Sequence, residues 1–151
     1  MKNSFNEADT QATIARINQL TPDTQALWGK MSVAQMLAHC CVAYEMFYEK
    51  ERFPKNNFIA KFFLKSFVKP MVVGPKPYKK NQQTAPVFLI KDERNFDAEQ
   101  AKLIAFLEKT QQLGADHFHG KESHSFGKLT SDEWNVLFSK HLDHHLTQFG
   151  V

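Results

Sequence analysis

Apolar residues recur at helical spacing in four stretches of the chain, most of them marked by capping signals. Val33, Met36, Leu37, Cys40, Tyr44 and Phe47 fall on one face of a helix predicted from about residue 33 to 50. Ser32 and Gln35 form a capping box at its start, and Met31 and Met36 are placed to staple it. Upstream, Thr21-Pro22 predicts a short helix running toward Trp28. Phe58, Phe62, Phe63 and Phe67 predict a further helix that ends near Pro70. Prolines at 70, 75, 77 and 86 exclude a regular helix from there to Pro86. The run Val87-Phe88-Leu89-Ile90 reads as a short strand or as an extended segment lying on the helices. Asp97 is placed to cap a helix reaching Gly114, with Leu103, Ile104, Phe106 and Leu107 among its apolar positions. Thr130 and Glu133 form a second capping box, stapled by Leu129 and Trp134, for a last helix over 131–148. The pattern predicts an all-α, four-helix bundle with one long Pro-rich crossover, a single domain over residues 1–151.

The last helix carries the chemistry. At about 100° per residue, Phe138, His141 and His145 all lie within about 40° of Trp134. Two imidazoles therefore sit on the face that must be buried, where each needs a partner. Residues four apart stack about 6 Å along the axis, so both rings can reach one ion at about 2.0–2.1 Å. An H-x-x-x-H pair also arises by chance, and histidines held by hydrogen bonds in the core explain it equally well. His39, at the border of the earlier helix's apolar face, is the best third ligand. Cys40 is a substitute, though its position suits a small core residue. His144 falls at the edge of the stripe, toward a neighbouring helix or solvent.

Composition changes this picture little. Hydrophobic residues make up 42% and charged residues 23%, as in an ordinary globular protein. The polar, acidic start MKNSFNEADTQ is not expected to act as a signal peptide, and no run reaches the roughly 20 apolar residues of a membrane span. The adjacent Cys40 and Cys41 cannot usefully staple the fold, so a reducing, cytoplasmic location is expected. Charge placement is more informative than the net value of +3. Between Glu51 and Asp92 there is no acidic residue and there are nine basic ones: Arg52 and Lys55, 61, 65, 69, 76, 79, 80 and 91. Such a block either attracts anions or is simply a solvated face. No nucleic-acid-binding motif accompanies it.

Three segments resemble the DinB-like (damage-inducible) superfamily of metal-binding helical bundles. They are Leu27-Trp28-Gly29-Lys30-Met31-Ser32-Val33-Ala34-Gln35-Met36-Leu37-Ala38-His39, His124-Ser125-Phe126-Gly127-Lys128-Leu129-Thr130 through Glu133-Trp134, and Lys140-His141-Leu142-Asp143-His144-His145-Leu146-Thr147-Gln148-Phe149. The last is similar to an H-x-x-H-H-x-x-Q ending. The resemblance implies an up-up-down-down bundle, frequently a dimer. It also implies a divalent ion, often nickel or zinc, held by His39, His141 and His145. The basic, Pro-rich stretch from 52 to 91 is longer than a compact bundle needs, and the motifs give it no role. His124 precedes the metal-bearing helix, either as a group facing substrate or as a loop histidine fixing the turn.

Relatives of that superfamily include transferases, isomerases and hydrolases that use a low-molecular-weight thiol. The resemblance thus implies a metal-dependent enzyme acting through water or a thiol; if that thiol, or another small-molecule partner, is anionic, the basic segment would supply the attraction. The competing expectation is a non-catalytic metal-binding module of the stress response. Lys61, Lys65 and Lys69 share one helical face beside Phe58 and Phe62, which suits a homodimer interface best and a membrane surface or partner protein next.

Overall fold

The computed structural model describes residues 2–151, which are mostly helical. The helices are α1 (Glu7–Ile17), α2 (Val33–Tyr48), α3 (Phe58–Phe63), α4 (Lys69–Val73), α5 (Phe96–Phe118) and α6 (Ser131–Gln148). The capping boxes at Ser32 and Thr130 both form, and they start α2 and α6 at the expected residues. Four helices share one core: Ile14 and Ile17 of α1, Met36, Leu37, Cys40 and Tyr44 of α2, Leu103 and Phe106 of α5, and Phe138, Leu142 and Leu146 of α6. The Tyr44 ring lies between Phe106 and Phe138, stacked at centroid distances of 5.7 and 4.6 Å.

Side-chain pairs fix the helix directions. Tyr44 meets Phe138 and Phe47 meets Trp134, so α2 and α6 are antiparallel. Cys41 meets Glu99 and Tyr48 meets Thr110, so α2 and α5 are parallel. Ser4 meets Asn135 and Arg16 meets Asp143, so α1 runs with α6. The chain order of the four core helices is up, down, down, up, not up-up-down-down. The crossover makes this order feasible, because its span allows α5 to start beside the start of α2.

Four other expectations are corrected. First, α1 was not expected, since only Ile14 and Ile17 mark its apolar face within a polar run; Asn6 caps it by accepting from the Asp9 amide at 3.1 Å. Second, residues 21–28 form turns rather than a helix. Third, Asn95, not Asp97, caps α5 by accepting from the Ala98 amide. Fourth, α5 breaks at Gly114 (φ 72°, ψ 169°) but resumes to Phe118, which is fully buried. After it, Glu122–Ser123 and Gly127–Lys128 pair as a short antiparallel hairpin, β1 and β2.

The Phe-rich segment belongs to the crossover and not to the core. It continues from α3 through a π-turn at Leu64–Val68 into α4, which Pro70 permits because it stands in the first turn. Lys140 of α6 anchors this crossover. Its ammonium donates to the carbonyls of Met71 (2.8 Å), Gly74 (2.6 Å) and Lys76 (3.1 Å), and lies 4.7 Å from the Tyr78 ring centroid. Burial lowers its pKa from the ordinary lysine value. Replacing Lys140 with methionine keeps the stem but removes three charge-assisted donors. The expected cost is about 2–3 kcal/mol, read by urea unfolding, with residues 70–80 becoming sensitive to protease.

Candidate metal centre

His39 enters from the middle of α2, and His141 and His145 from successive turns of α6, where the two helices run antiparallel. Their ring nitrogens lie within 4.8 Å of one another, the arrangement that can hold a metal ion. His39 and His145 are buried and His141 is partly exposed. His39 Nε2 and His141 Nε2 are 3.0 Å apart. Two nitrogens bound tetrahedrally at 2.0–2.1 Å would be about 3.3 Å apart, so small side-chain shifts admit an ion.

Hydrogen bonds behind the rings orient two of them. His39 Nδ1 donates to the carbonyl of Phe88 at 2.8 Å. His145 Nδ1 donates to Gln148 Oε1 at 2.8 Å, and the Gln148 amide is itself held by donating from Nε2 to the Trp28 carbonyl at 2.7 Å. With their protons on Nδ1, neutral His39 and His145 each keep a lone pair on Nε2, the nitrogen a metal would take. With the His39 proton on Nδ1, the 3.0 Å contact between the two Nε2 atoms takes its proton from His141.

Electrostatics favour neutral rings. Burial lowers the pKa of His39, and burial together with His145, His39 and His144 holds His141 well below its ordinary value. Burial and His39 push His145 down to about 3. Neutral imidazole is the ligand form, so these shifts suit a metal site.

The flanking residues complete the shell. Phe88 covers one side, its ring 5.3 Å from His39 and 5.7 Å from His141. His144 lies outside the cluster, between the rings of Trp28 (6.0 Å) and Tyr78 (5.6 Å). Cys40 is 1% exposed and faces Met36 Sδ at 3.7 Å, so it serves as core and not as ligand. His124 sits beside Phe53 and contacts Ser125 Oγ at 3.2 Å, near the start of α6 and away from the cluster. Two cavities, of about 400 Å³ beside α1 and about 530 Å³ against residues 70–82, touch none of the three histidines.

Sequence analysis gave no role in this site to the Phe88 carbonyl or Gly29, and it marked Gln148 only as the last position of the H-x-x-H-H-x-x-Q ending without assigning it to His145. Gly29 has φ +88°, and a Cβ there would lie 2.5 Å from Gln148 Nε2. Gly29→Ala and Gln148→Leu should therefore act alike, each releasing His145 from behind. Both are expected to weaken metal affinity by about 10–100-fold, measured by chelator competition.

No curated protein and no solved structure matches this chain. Residues 1–150 match one family along nearly the whole chain. The chain belongs to that family, described as "Protein of unknown function (DUF1569)".

Proposed function

We propose that this protein binds one divalent ion, nickel or zinc, through His39, His141 and His145, as a metal-dependent enzyme of DinB-like bundle type. The observation that carries the reading is the convergence of the three rings, with ligand atoms within 4.8 Å of one another, while the Nδ1 atoms of His39 and His145 are bonded behind to Phe88 and Gln148. Histidines that merely fill a core do not need their second nitrogens aimed at one point. The DinB-like reading rests on the sequence motifs, and the up-down-down-up helix order departs from the order they implied.

An ion with three protein ligands keeps an open position, where it lowers the pKa of water or of a thiol. The protein's own groups then do the remaining work. Phe88 excludes solvent from the His39 side. His144, Trp28 and Tyr78 line the other approach, and Lys80, 4.2 Å from the Trp28 ring centroid, brings a cation toward an anionic substrate. Transfer or hydrolysis involving a low-molecular-weight thiol is the reaction class this arrangement supports.

A closed, non-catalytic metal-binding module is the second reading, favoured by the burial of His39 and His145. Cobalt(II) substitution separates the two. An open site gives a d–d spectrum that changes on adding a small thiol, with a new near-ultraviolet charge-transfer band. A cobalt spectrum indifferent to thiols and to small anions rejects the enzyme reading in favour of the module.

A further inference from the structure

The helical segment from Phe58 to Val73 is amphipathic the wrong way round for a core element. Ala60, Leu64 and Val68, four residues apart, are half-buried toward the protein. The large side chains point outward: Phe58, Ile59, Phe62, Phe63 and Phe67 are all more than half exposed, from 55% at Phe63 to 84% at Phe58. Lys61 and Lys65 flank this apolar face and are exposed, and Lys55 lies just ahead of it. Among the described residues, no carboxylate lies within salt-bridge distance of these three lysines. Isolated exposed apolar residues are ordinary, but five on one face of a single helical segment are not.

We propose that this segment is an interfacial helix that seats the protein on an anionic phospholipid surface. Its five apolar side chains enter the headgroup layer and its lysines reach lipid phosphates.

Charge decides between the occupants. A two-fold dimer through this face would set the patch against itself, bringing Lys55, Lys61 and Lys65 toward their own copies with no acid to meet them. The whole stretch from Arg52 to Lys91 contains nine basic residues and no acidic one, and although Arg52 and Lys69 pair with Glu49 and Glu133, the lysines bordering the patch keep their charge unmatched. A sheet of anionic headgroups complements that charge at every lysine and needs no matching groove for the protruding phenylalanines. Attachment by so short a helix is reversible and salt-sensitive. It is distinct from insertion, since no helix among the described residues is long and apolar enough to cross a membrane.

The test is co-sedimentation of the full chain with vesicles of phosphatidylcholine alone and of phosphatidylcholine mixed equally with phosphatidylglycerol. Binding is expected to the anionic vesicles only, and high salt should reverse it. Phe62→Ser with Phe63→Ser should abolish it, and Lys61→Glu with Lys65→Glu should cut the partition coefficient by about 30-fold or more. Circular dichroism should show both variants folded, because these side chains are exposed. Three results would overturn the proposal. One is absence of binding at low salt, which with a monomeric chain leaves an acidic protein as the occupant. Another is undiminished binding by both variants. The third is a solution dimer that Phe62→Ser with Phe63→Ser dissociates while vesicles are ignored, which assigns the face to a second copy.

Discussion

Replacing His145 with alanine is expected to lower zinc affinity by more than about 100-fold, beyond the 10–100-fold typical of losing a group behind a ligand. His145 presents a lone pair already oriented by Gln148 and is one of the three ligands grouped among the described residues. His144→Ala is the matched control. That ring packs against Trp28, Tyr78 and the edge of His145 but is not among the grouped ligands, so its loss should change affinity only a few-fold. The same difference appears as stability. With free zinc at 1,000 times the wild-type dissociation constant, binding stabilises the wild type by about 4.1 kcal/mol. A 100-fold weaker variant at that concentration gains only about 1.4 kcal/mol. Thermal melts with and without zinc read the two gains directly. Equal zinc-induced shifts in wild type and His145→Ala would remove His145 from the site.

The second large effect is loss of stability in mild acid by the metal-free protein. His145 has a folded pKa of about 3, depressed by burial and by His39, against about 6.5 in an unfolded chain. Above about pH 6.5 both states are neutral there and the group contributes no pH dependence. As pH falls below that value the unfolded chain takes up a proton and the folded one does not. Stability then declines by up to about 1.4 kcal/mol per pH unit for this residue, until the folded pKa is reached. His39 and His141 are shifted in the same direction and steepen the decline. Lysine and carboxylate effects do not mimic a decline that begins this close to neutrality. The melting temperature should therefore drop between about pH 7 and about pH 5, and bound metal should delay the drop by holding the imidazoles neutral. A profile flat over that interval would show that the three rings are solvated in the folded protein.

Much of this was legible before any coordinates. Capping boxes are local devices, and those at Ser32 and Thr130 set the starts of α2 and α6 without help from the rest of the fold. Periodicity then placed His141 and His145 on the buried face, and the structure brings His39 to them. What stayed hidden depends on distant partners. α1 has few apolar residues because it contributes one narrow edge to the core, while the Phe-rich segment has many and contributes little. Hydrophobicity alone ranks these two the wrong way round. The Phe88 carbonyl was beyond reach for a different reason, since a backbone group 49 residues from His39 leaves no trace in side-chain pattern. The up-down-down-up order likewise depends on the path of the crossover, which Lys140 ties to α6 through three backbone carbonyls far away in sequence.

The most direct test of the central claim is elemental analysis of the purified, untagged chain beside a His39→Ala, His141→Ala double variant. The account predicts about one nickel or zinc ion per wild-type chain and none in the variant. Wild-type protein that carries no metal, and takes up none on incubation with zinc or nickel, would contradict it.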